Sequence, residues 1–380
     1  MNATDPIYLD HAATSPIRPQ VREAMLRAWE VGANASSVHS LGRKAKLLLE
    51  EARNAVLGFV GGIGPARLIF TSGGTEANQL ALSQSRGYER IILSATEHDS
   101  LHKAAESYGL PVAYVPVLAS GLIDMAALDQ LLSAGGRPFV AVMRVNNETG
   151  VINPVREIAD RVHAVGGWLH TDAVQAAGKI EIDFEALGAD SLSLAAHKIG
   201  GPQGVGALIY SAEREVRATV PGGGQEFGSR AGTENIAGIA GFAEAVRQVR
   251  LVPDTAQAAT EAALKALGAS IVGEDAPRAP GITCFTVPDW TAQLQLIHMD
   301  MAGVCVSSGS ACSSGKVKSS RVLEAMGQGD VADKALRVSS GWNTTAAHWQ
   351  RFLDVWSEGY AKHRARRNGK DQTGKVKESA

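Results

Sequence analysis

The sequence predicts an α/β protein in which a large domain with a mostly parallel, doubly wound sheet precedes a smaller α+β domain. The first observation is that short β-rich runs alternate with amphipathic helical segments, a pattern typical of successive βαβ crossovers. The second is a long helical stretch from Gly232 to about Leu251. It comes just before "VPDTAQ", and we interpret it as the last helix of the large domain.

The elements follow one another in a regular order. In the large domain the alternating runs are "RLIFTSG", "TEANQLALSQS", "RIILSAT", "VAYVPV", "DMAALDQLLS", "FVAVMRVNNE", "VREIADRVHAVG" and "WLHTDA". In the smaller domain they are "AATEAALKALGAS", "GITCFTV", "TAQLQLIHMDMAG", "ALRVSSG" and "AAHWQRFLDVWSEGYAKH". We therefore assign residues 15–250 to the large domain and residues 1–14 and 251–366 to the small one. Residues 367–380 are polar and lack periodicity, which predicts a disordered tail.

Composition and charge exclude several classes of protein. The chain has 380 residues, of which 45% are hydrophobic, so it can bury a large core. A formal net charge of −2 provides no general attraction to nucleic acid or anionic membranes. No apolar run approaches the ~20 residues that span a bilayer, and the start "MNATDPIYLD" lacks the features of a secretory signal. We expect a cytoplasmic protein with no direct nucleic-acid partner and no membrane contact.

The three cysteines are too few for a disulfide framework, and no Cys-x-x-Cys pair is present. Cys284 and Cys305 lie in strand-like apolar runs and are expected in the core. Cys312 lies instead in "SSGSACSSG", among small polar residues that predict an exposed loop. Either it is an unremarkable surface residue, or the protein needs a sulfur that can move between two places.

A phosphate could be held by the loop "FTSGGTEAN", where a β-rich run leads into a helix. Backbone N–H groups of Gly73, Gly74 and Thr75, the Thr75 hydroxyl and the helix dipole would surround the phosphate oxygens. The same residues also form ordinary capped turns, so this loop alone leaves both interpretations open.

Two later loops favour a cofactor. "HTDAVQ" places Asp172 and Gln175 at the end of an apolar strand, and "SLAAHKIGGPQGVG" places His197 and Lys198 after another. Such a lysine can hold an aldehyde as a Schiff base, and an acid on a neighbouring strand can keep a pyridine nitrogen protonated. Together with a phosphate site, these groups predict pyridoxal 5'-phosphate. A snorkelling lysine and a capping aspartate would explain each residue singly but not the set.

These residues carry a resemblance that runs in order from Tyr8 to about Gly341. Its pieces are "YLDHAATSP", "NASSVHSLG", "FTSGGTEAN", "TEHDS", "VNNETG", "HTDAVQ", "AAHKIGGPQGVG", "RAGTEN", "SSGSACSS" and "LRVSSG". The chain closely resembles the NifS-like cysteine desulfurases, which belong to the class V aminotransferase family and to the fold-type I pyridoxal-phosphate enzymes. The His-Lys turn and the Ser-Ser-Gly-Ser-Ala-Cys loop are together its most specific pieces.

The resemblance implies roles for the cofactor residues. Lys198 would anchor the cofactor and then act as base and acid, Asp172 would protonate the ring nitrogen, and Gln175 would bond the ring oxygen. His98 would stack on the ring and handle a proton. The phosphate would be held by the remaining group of residues: Gly74, Thr75, His197 and, from the neighbouring subunit of a homodimer, Thr233.

The resemblance also implies the substrate and the products. L-cysteine would bind through Arg337, helped by Asn34 and Asn147, and Cys312 would take its sulfur as a persulfide, leaving alanine. The sulfur would pass to protein acceptors such as an iron–sulfur scaffold, or it would be used in tRNA thiolation. Without the surrounding set, Arg337 would be interpreted as a surface salt bridge and Asn147 as a turn former.

Other interpretations stay open. His98 and His102 stand four apart and could present two zinc ligands on a helix, but spacing places no third, so we predict no metal. Ala195 stands where the family often has a hydroxyl residue, and Ala35 where it often has proline. A selenocysteine lyase or an aminotransferase, with Cys312 incidental, is one alternative. A non-catalytic relative that keeps the fold is another.

Overall fold

The computed structural model describes residues 6–64, 66–309 and 319–377, with side chains as far as residue 367. Cys312 lies outside the described residues. The described strands are β1 (Ile7–Tyr8), β2 (Ala66–Thr71), β3 (Arg90–Ser94), β4 (Val112–Val115), β5 (Pro138–Ala141), β6 (Trp168–Asp172), β7 (Ser191–Ala195), β8 (Gly206–Ser211), β9 (Ser270–Ile271), β10 (Ile282–Thr286), β11 (Val304–Cys305) and β12 (Leu336–Ser339). The described helices are α1 (Pro19–Val31), α2 (Ser40–Phe59), α3 (Gly74–Leu82), α4 (Asp99–Ala105), α5 (Met125–Ser133), α6 (Val155–Ala164), α7 (Phe184–Leu187), α8 (Ile236–Arg247), α9 (Thr255–Ala266), α10 (Ala292–Met301), α11 (Arg321–Ala325) and α12 (Ala346–Lys377).

A seven-stranded sheet with the order β2-β8-β7-β6-β5-β3-β4 forms the centre of the fold. The strands from β7 to β4 in that order are parallel, whereas β8 is antiparallel to both of its neighbours. Strand β8 reverses because only residues 196–205 separate it from β7, and a parallel crossover needs about a dozen residues or more. The structure therefore confirms the predicted mostly parallel α/β sheet.

Both faces of this sheet are covered. Neighbouring strand residues point to opposite faces, and Ile91 and Ile92 accordingly join two different buried clusters. One cluster packs Ile92 with Val56 of α2 and Phe242 of α8. The other packs Ile91 with Leu80 of α3. This is the doubly wound arrangement that the alternation of runs predicts.

The second half of the chain forms a smaller α+β unit. Strands β12, β10 and β9 make an antiparallel sheet, and Phe285 packs against Phe352 and Trp356 of α12. Strand β1 pairs in parallel with β11, with Ile7 opposite Val304. Strand β1 thus lies against this smaller unit, while the predicted domain boundaries stay a prediction.

The C-terminal helix is longer than the sequence predicts. Helix α12 runs to Lys377, so the described backbone is helical in 367–377, where a disordered tail was expected. This stretch contains no proline, but it includes Gly369 and Gly374, which are poor helix formers, so propensity does not explain the extension. Within the described ranges, no helix combines the length and the apolar content needed to cross a bilayer.

Candidate active site

The predicted cofactor residues meet at one edge of the main sheet. Asp172 is the last residue of β6, and Lys198 lies in the turn Ala196–Ile199 directly after β7. Strand β2 ends at the same edge, because the two successive reversals through β8 restore the direction of β7. The carboxyl ends of parallel strands are where α/β folds place their ligands.

The loop after β2 has the shape of a phosphate cradle. Helix α3 begins at Gly74, and its first N–H groups have no partner within the helix. Gly73 has a φ of +153°, which favours glycine. A Cβ atom on Gly74 would lie 2.9 Å from Val174 Cγ2 and 3.5 Å from Ala195 Cβ. A side chain at Gly74 would therefore crowd the neighbouring loop and strand and displace the start of α3.

A cavity of about 370 Å³ opens at this loop, and Thr14, Gly74, Thr75 and His197 are among its lining residues. The His197 Nδ1 and Thr14 Oγ1 atoms are 3.0 Å apart. Burial lowers the His197 pKa to about 4, and the Lys198 charge adds to this, so the ring is neutral. Thr14 was not predicted, and its hydroxyl is a donor where Ala195 offers none.

Lys198 is held at the cradle as a reactive amine. Its Nζ donates to the carbonyl oxygens of Ala12 and Ala13, at 2.7 and 2.8 Å. Burial lowers the Lys198 pKa to about 8, the Arg337 charge lowers it further, and Asp172 partly opposes both effects. A lysine with such a pKa has a much larger neutral fraction near neutral pH than an ordinary lysine, and a nucleophilic amine must be neutral.

Asp172 is buried and firmly oriented. One carboxylate oxygen accepts from Asn78 Nδ2 at 2.7 Å, and the other accepts from the Val174 N–H at 2.9 Å. The Asn78 Oδ1 is 3.0 Å from His170 Nε2, so the Asn78 amide is itself fixed. Asn78 was in a quoted motif, "FTSGGTEAN", but its role as the partner of Asp172 was not predicted.

His98 belongs to the same network and is exposed at the start of α4. Its Nδ1 accepts from the Ser100 N–H at 3.1 Å, so the neutral ring carries its proton on Nε2. The Ser100 hydroxyl also accepts from Asn78, at 2.9 Å. His102 stacks on Tyr114, with ring centroids 5.1 Å apart. Among the described residues, no three His, Cys, Asp or Glu side chains are grouped to hold a metal.

Glu97, next to His98, is a buried carboxyl that the sequence did not single out. Its Oε1 accepts from the Met143 N–H at 2.5 Å, and its Oε2 has no hydrogen-bond partner among the described residues. Burial raises the Glu97 pKa to about 8, and the Asp172 charge adds to this. Glu97 is therefore largely protonated at neutral pH.

Gln175 reaches the site together with a residue that was not predicted. Its Nε2 donates to the Ala12 carbonyl oxygen at 2.8 Å, the same oxygen that accepts from Lys198. Its Oε1 accepts from Lys179 Nζ at 3.0 Å. Lys179 is thus linked to the site through the Gln175 amide.

Arg337 is not the surface salt bridge that it would be in isolation, because it is only 4% exposed. Its guanidinium donates to Asp10 Oδ1 and to the Asn147 carbonyl oxygen, both at 2.9 Å. Its Nε is buried and has no partner among the described residues. Asn147 therefore contacts Arg337 through its backbone, while its predicted role in substrate binding stays a prediction. Asn34 is exposed between α1 and α2 and accepts from the Ser36 N–H at 2.8 Å. No hydrogen bond of the described residues joins it to this group.

Thr233 is exposed in this single chain and forms no hydrogen bond with the described residues. The segment before it is tied to the cradle, because Arg230 pairs with Glu76 of α3 at 2.9 Å. Glu226 also forms two hydrogen bonds with the buried Arg53, at 2.9 and 3.0 Å. The chain that leads to Thr233 is therefore anchored beside the phosphate loop, and Thr233 itself faces outward.

The model for the family "Aminotransferase class-V" matches residues 7–352. The chain belongs to this family. Within it, the chain is 36% identical over 367 residues to a cysteine desulfurase of Cereibacter sphaeroides, covering 92% of this chain and 94% of that one. It is 38% identical over 371 residues to a cysteine desulfurase of Rhodobacter capsulatus, covering 93% and 96%. The recognition of a NifS-like cysteine desulfurase sequence is confirmed.

Solved structures agree with this placement in the class V aminotransferases. The fold matches a NifS-like protein from Rickettsia africae with a TM-score of 0.86 at 33% identity, covering 94% of this chain and 99% of that one. A second NifS-like protein matches with a TM-score of 0.82 at 28% identity, covering 93% of this chain and 98% of that one. The predicted fold-type I architecture is therefore confirmed.

The described cysteines of this class V aminotransferase are poor nucleophiles. Cys284 is buried in β10, and burial raises its pKa to about 12. Burial also raises the pKa of Cys305, which is partly exposed rather than fully in the core as predicted. Both stay protonated thiols at neutral pH, whereas the thiolate is the attacking species.

The segment that carries Cys312 begins beside Arg337 and ends at Glu148. Before it, the Ser307 N–H donates to the Arg337 carbonyl oxygen at 3.1 Å. After it, the Ser320 hydroxyl donates to Glu148 Oε2 at 2.6 Å, and the Arg337 charge acts on the Glu148 carboxyl. The predicted role of Cys312 itself stays a prediction.

Proposed function

We propose that this protein is a cysteine desulfurase that uses pyridoxal 5'-phosphate to convert L-cysteine to L-alanine and retains the sulfur as a persulfide on Cys312. The observation that carries the proposal is that two groups lie at the same edge of the sheet. They are Lys198, an amine with a pKa of about 8, and the oriented Asp172 carboxylate. Family membership supports the same chemistry.

The residues present fit the cofactor. The cradle that a Cβ on Gly74 would crowd suits a phosphate, which Thr75 and His197 would help to hold. Asp172 would bond the protonated ring nitrogen, and Gln175 the ring oxygen. Lys198 would hold the aldehyde carbon. When bound, the cofactor supplies an electron sink for the bond broken at the substrate carbon.

The protein's own groups would then bind the substrate and move its protons. The Arg337 guanidinium binds the substrate carboxylate, for which its buried, unpartnered Nε is one donor. The Lys198 amine takes the proton from the α-carbon and returns a proton as the product forms. The Nε2 of His98 carries the proton of the neutral ring and exchanges a proton with the substrate.

The sulfur step needs one nucleophile. The substrate thiol and the Cys312 thiol are first deprotonated, or each shares its proton with a base. The Cys312 thiolate then attacks the substrate sulfur. A sulfur–sulfur bond forms as the carbon–sulfur bond breaks, and that electron pair moves to carbon, where protonation gives alanine. The persulfide would then pass to protein acceptors such as an iron–sulfur scaffold, or enter tRNA thiolation.

The active form would be a homodimer in which Thr233 completes the phosphate site of the other subunit. The support is that Thr233 is exposed while the chain before it is anchored to the cradle. Inactive Lys198→Ala and Thr233→Ala chains, mixed as heterodimers, should regain one intact site and part of the activity. If Thr233→Ala alone loses cofactor and no mixture exceeds its parents, the shared site is wrong.

Product analysis tests the proposed function. The holoenzyme, given L-cysteine and a reductant, should release alanine and sulfide in equal amounts, and Lys198→Ala should release neither. Turnover with L-selenocysteine but not L-cysteine would instead identify a lyase for that substrate. Products that form only with an added keto acid would identify an aminotransferase. The absence of a visible band removable by borohydride would indicate a non-catalytic relative.

A further inference from the structure

Lys179 is a basic side chain beside the site that the mechanism above does not use. It lies in the loop after β6 and lines a cavity of about 480 Å³ that also reaches Lys198 and Arg18. No carboxylate of the described residues lies within salt-bridge distance of its ammonium group. Burial lowers the Lys179 pKa to about 7, and the Lys198 and Arg337 charges add to this. Placing a cation here costs free energy.

The single side-chain partner of Lys179 within the described ranges is the Gln175 amide. Its Nζ donates to Gln175 Oε1 at 3.0 Å. In its charged form Lys179 only donates hydrogen bonds, and it then holds the amide oxygen towards itself. The amide nitrogen then points the other way, and it donates to the Ala12 carbonyl oxygen at 2.8 Å.

The Gln175 amide nitrogen therefore points towards Lys198. The Ala12 oxygen also accepts from Lys198 Nζ at 2.7 Å, so the Gln175 nitrogen and the Lys198 nitrogen share one acceptor. Turning the amide over would place its NH₂ group against the Lys179 ammonium and its oxygen towards Lys198. The charged form of Lys179 and the Ala12 carbonyl oxygen both oppose this arrangement.

We propose that Lys179 is a positioning residue that fixes the Gln175 amide with its nitrogen towards the cofactor, so that Gln175 donates to the ring oxygen. This inference rests on the proposed function, in which Gln175 bonds that oxygen. Without Lys179 only the Ala12 contact orients the amide, and a larger part of the population presents an oxygen to the oxygen of the cofactor. Cofactor affinity and the absorption maximum should therefore depend on Lys179 through Gln175.

A double-mutant cycle on cofactor binding tests this coupling. Apoenzymes of the wild type, Lys179→Met, Gln175→Ala and the double variant are titrated with pyridoxal 5'-phosphate while absorbance is followed. We expect Lys179→Met to weaken binding about tenfold, the effect of one hydrogen bond that involves a charge, and to shift the absorption maximum. Added to Gln175→Ala, it should cause less than a twofold further loss. Lys179→Arg, which keeps a charged donor, should restore most of the affinity.

Two outcomes overturn the inference: wild-type affinity and spectrum in Lys179→Met, or full additivity of the two losses. Lys265→Met, at an exposed lysine of α9, is the matched control and should bind as the wild type does. If Lys179→Met does not fold, Gln175→Glu carries the test, because it keeps the acceptor for Lys179 and removes the donor. Unchanged affinity in Gln175→Glu would contradict the proposal.

The same titration separates this inference from the proposed function. If the wild type forms no visible band that borohydride removes, the proposed function itself fails. If the wild type forms the band and the cycle is additive, only the role of Lys179 fails.

Discussion

The two halves of the site are built differently. The cofactor half consists of the loops after β2, β6 and β7 and is interlocked by short hydrogen bonds, such as those of Asn78 with Asp172 and Ser100. The substrate half consists of Asp10, Asn147 and Arg337, together with the two ends of the segment that carries Cys312. Its contacts join residues 190 and 327 positions apart in the chain.

The difference shows what each half depends on. The cofactor half is fixed where neighbouring strands of one sheet end, so its geometry follows from the packing of the large domain. The substrate half exists only where the smaller unit and the first strand meet the large domain. Variants in the cofactor half should therefore affect cofactor retention, and variants in the substrate half should affect turnover while cofactor stays bound.

The largest effect should come from Lys198→Ala. This variant removes the covalent anchor of the cofactor, so both the visible band and turnover should disappear. The lysine side chain is not part of the hydrophobic core, so the circular dichroism spectrum should stay that of the wild type. A band that borohydride still removes in this variant would contradict the assignment.

A smaller and separable effect is expected from Arg337→Met. Losing the charged hydrogen bonds to the substrate carboxylate should lower kcat/KM for L-cysteine about 100-fold, while cofactor absorbance at saturation stays unchanged. Arg337→Lys should recover little, because an ammonium group cannot form the planar bidentate contact. If Arg337→Met released the cofactor, the two halves would not be independent.

The last effect concerns stability and leaves activity aside. The Glu97 pKa is raised to about 8 in the folded protein against about 4.3 in an unfolded chain, so the folded state binds the proton more tightly. Its contribution is fully present below the unfolded pKa and is lost as pH rises towards 8, at no more than about 1.4 kcal/mol per pH unit.

Glu97→Gln should remove this part of the pH dependence. Urea unfolding of the wild type and the variant between pH 5 and pH 8 isolates the Glu97 contribution, since other groups titrate equally in both proteins. The variant should become more stable than the wild type as pH rises. Parallel curves for the two proteins would show that Glu97 does not titrate in this range.

The sequence predicted those features that follow from local pattern. Strand ends placed Asp172 and Lys198 at one edge, and the glycine-rich turn indicated the cradle, because both depend on a strand followed directly by a loop. Strand β8 is likewise explained by its short connection. The helical extension of α12 into 367–377 was not predicted, because propensity alone gives no periodic signal in a polar tail.

The unpredicted residues act through contacts between distant elements. Asn78 bonds Asp172 across 94 positions, and Arg337 pairs with Asp10 across 327. Neither partner is marked by spacing, because an amide or a carboxylate in a loop has many ordinary roles. Lys179 differs in that it lies only four positions from Gln175, but spacing alone does not show that its ammonium group reaches the Gln175 amide. Three-dimensional packing was needed to find all three.

The central claim is that cofactor chemistry and sulfur transfer belong to separate halves, with Cys312 as the sole sulfur nucleophile. The most direct test follows Cys312→Ser by absorbance and by alanine release after L-cysteine is added. A hydroxyl keeps the size of the thiol but has a far higher pKa and is a much poorer nucleophile towards sulfur. We predict that the cofactor band shifts as in the wild type while alanine does not accumulate. Full alanine production by Cys312→Ser would contradict the claim.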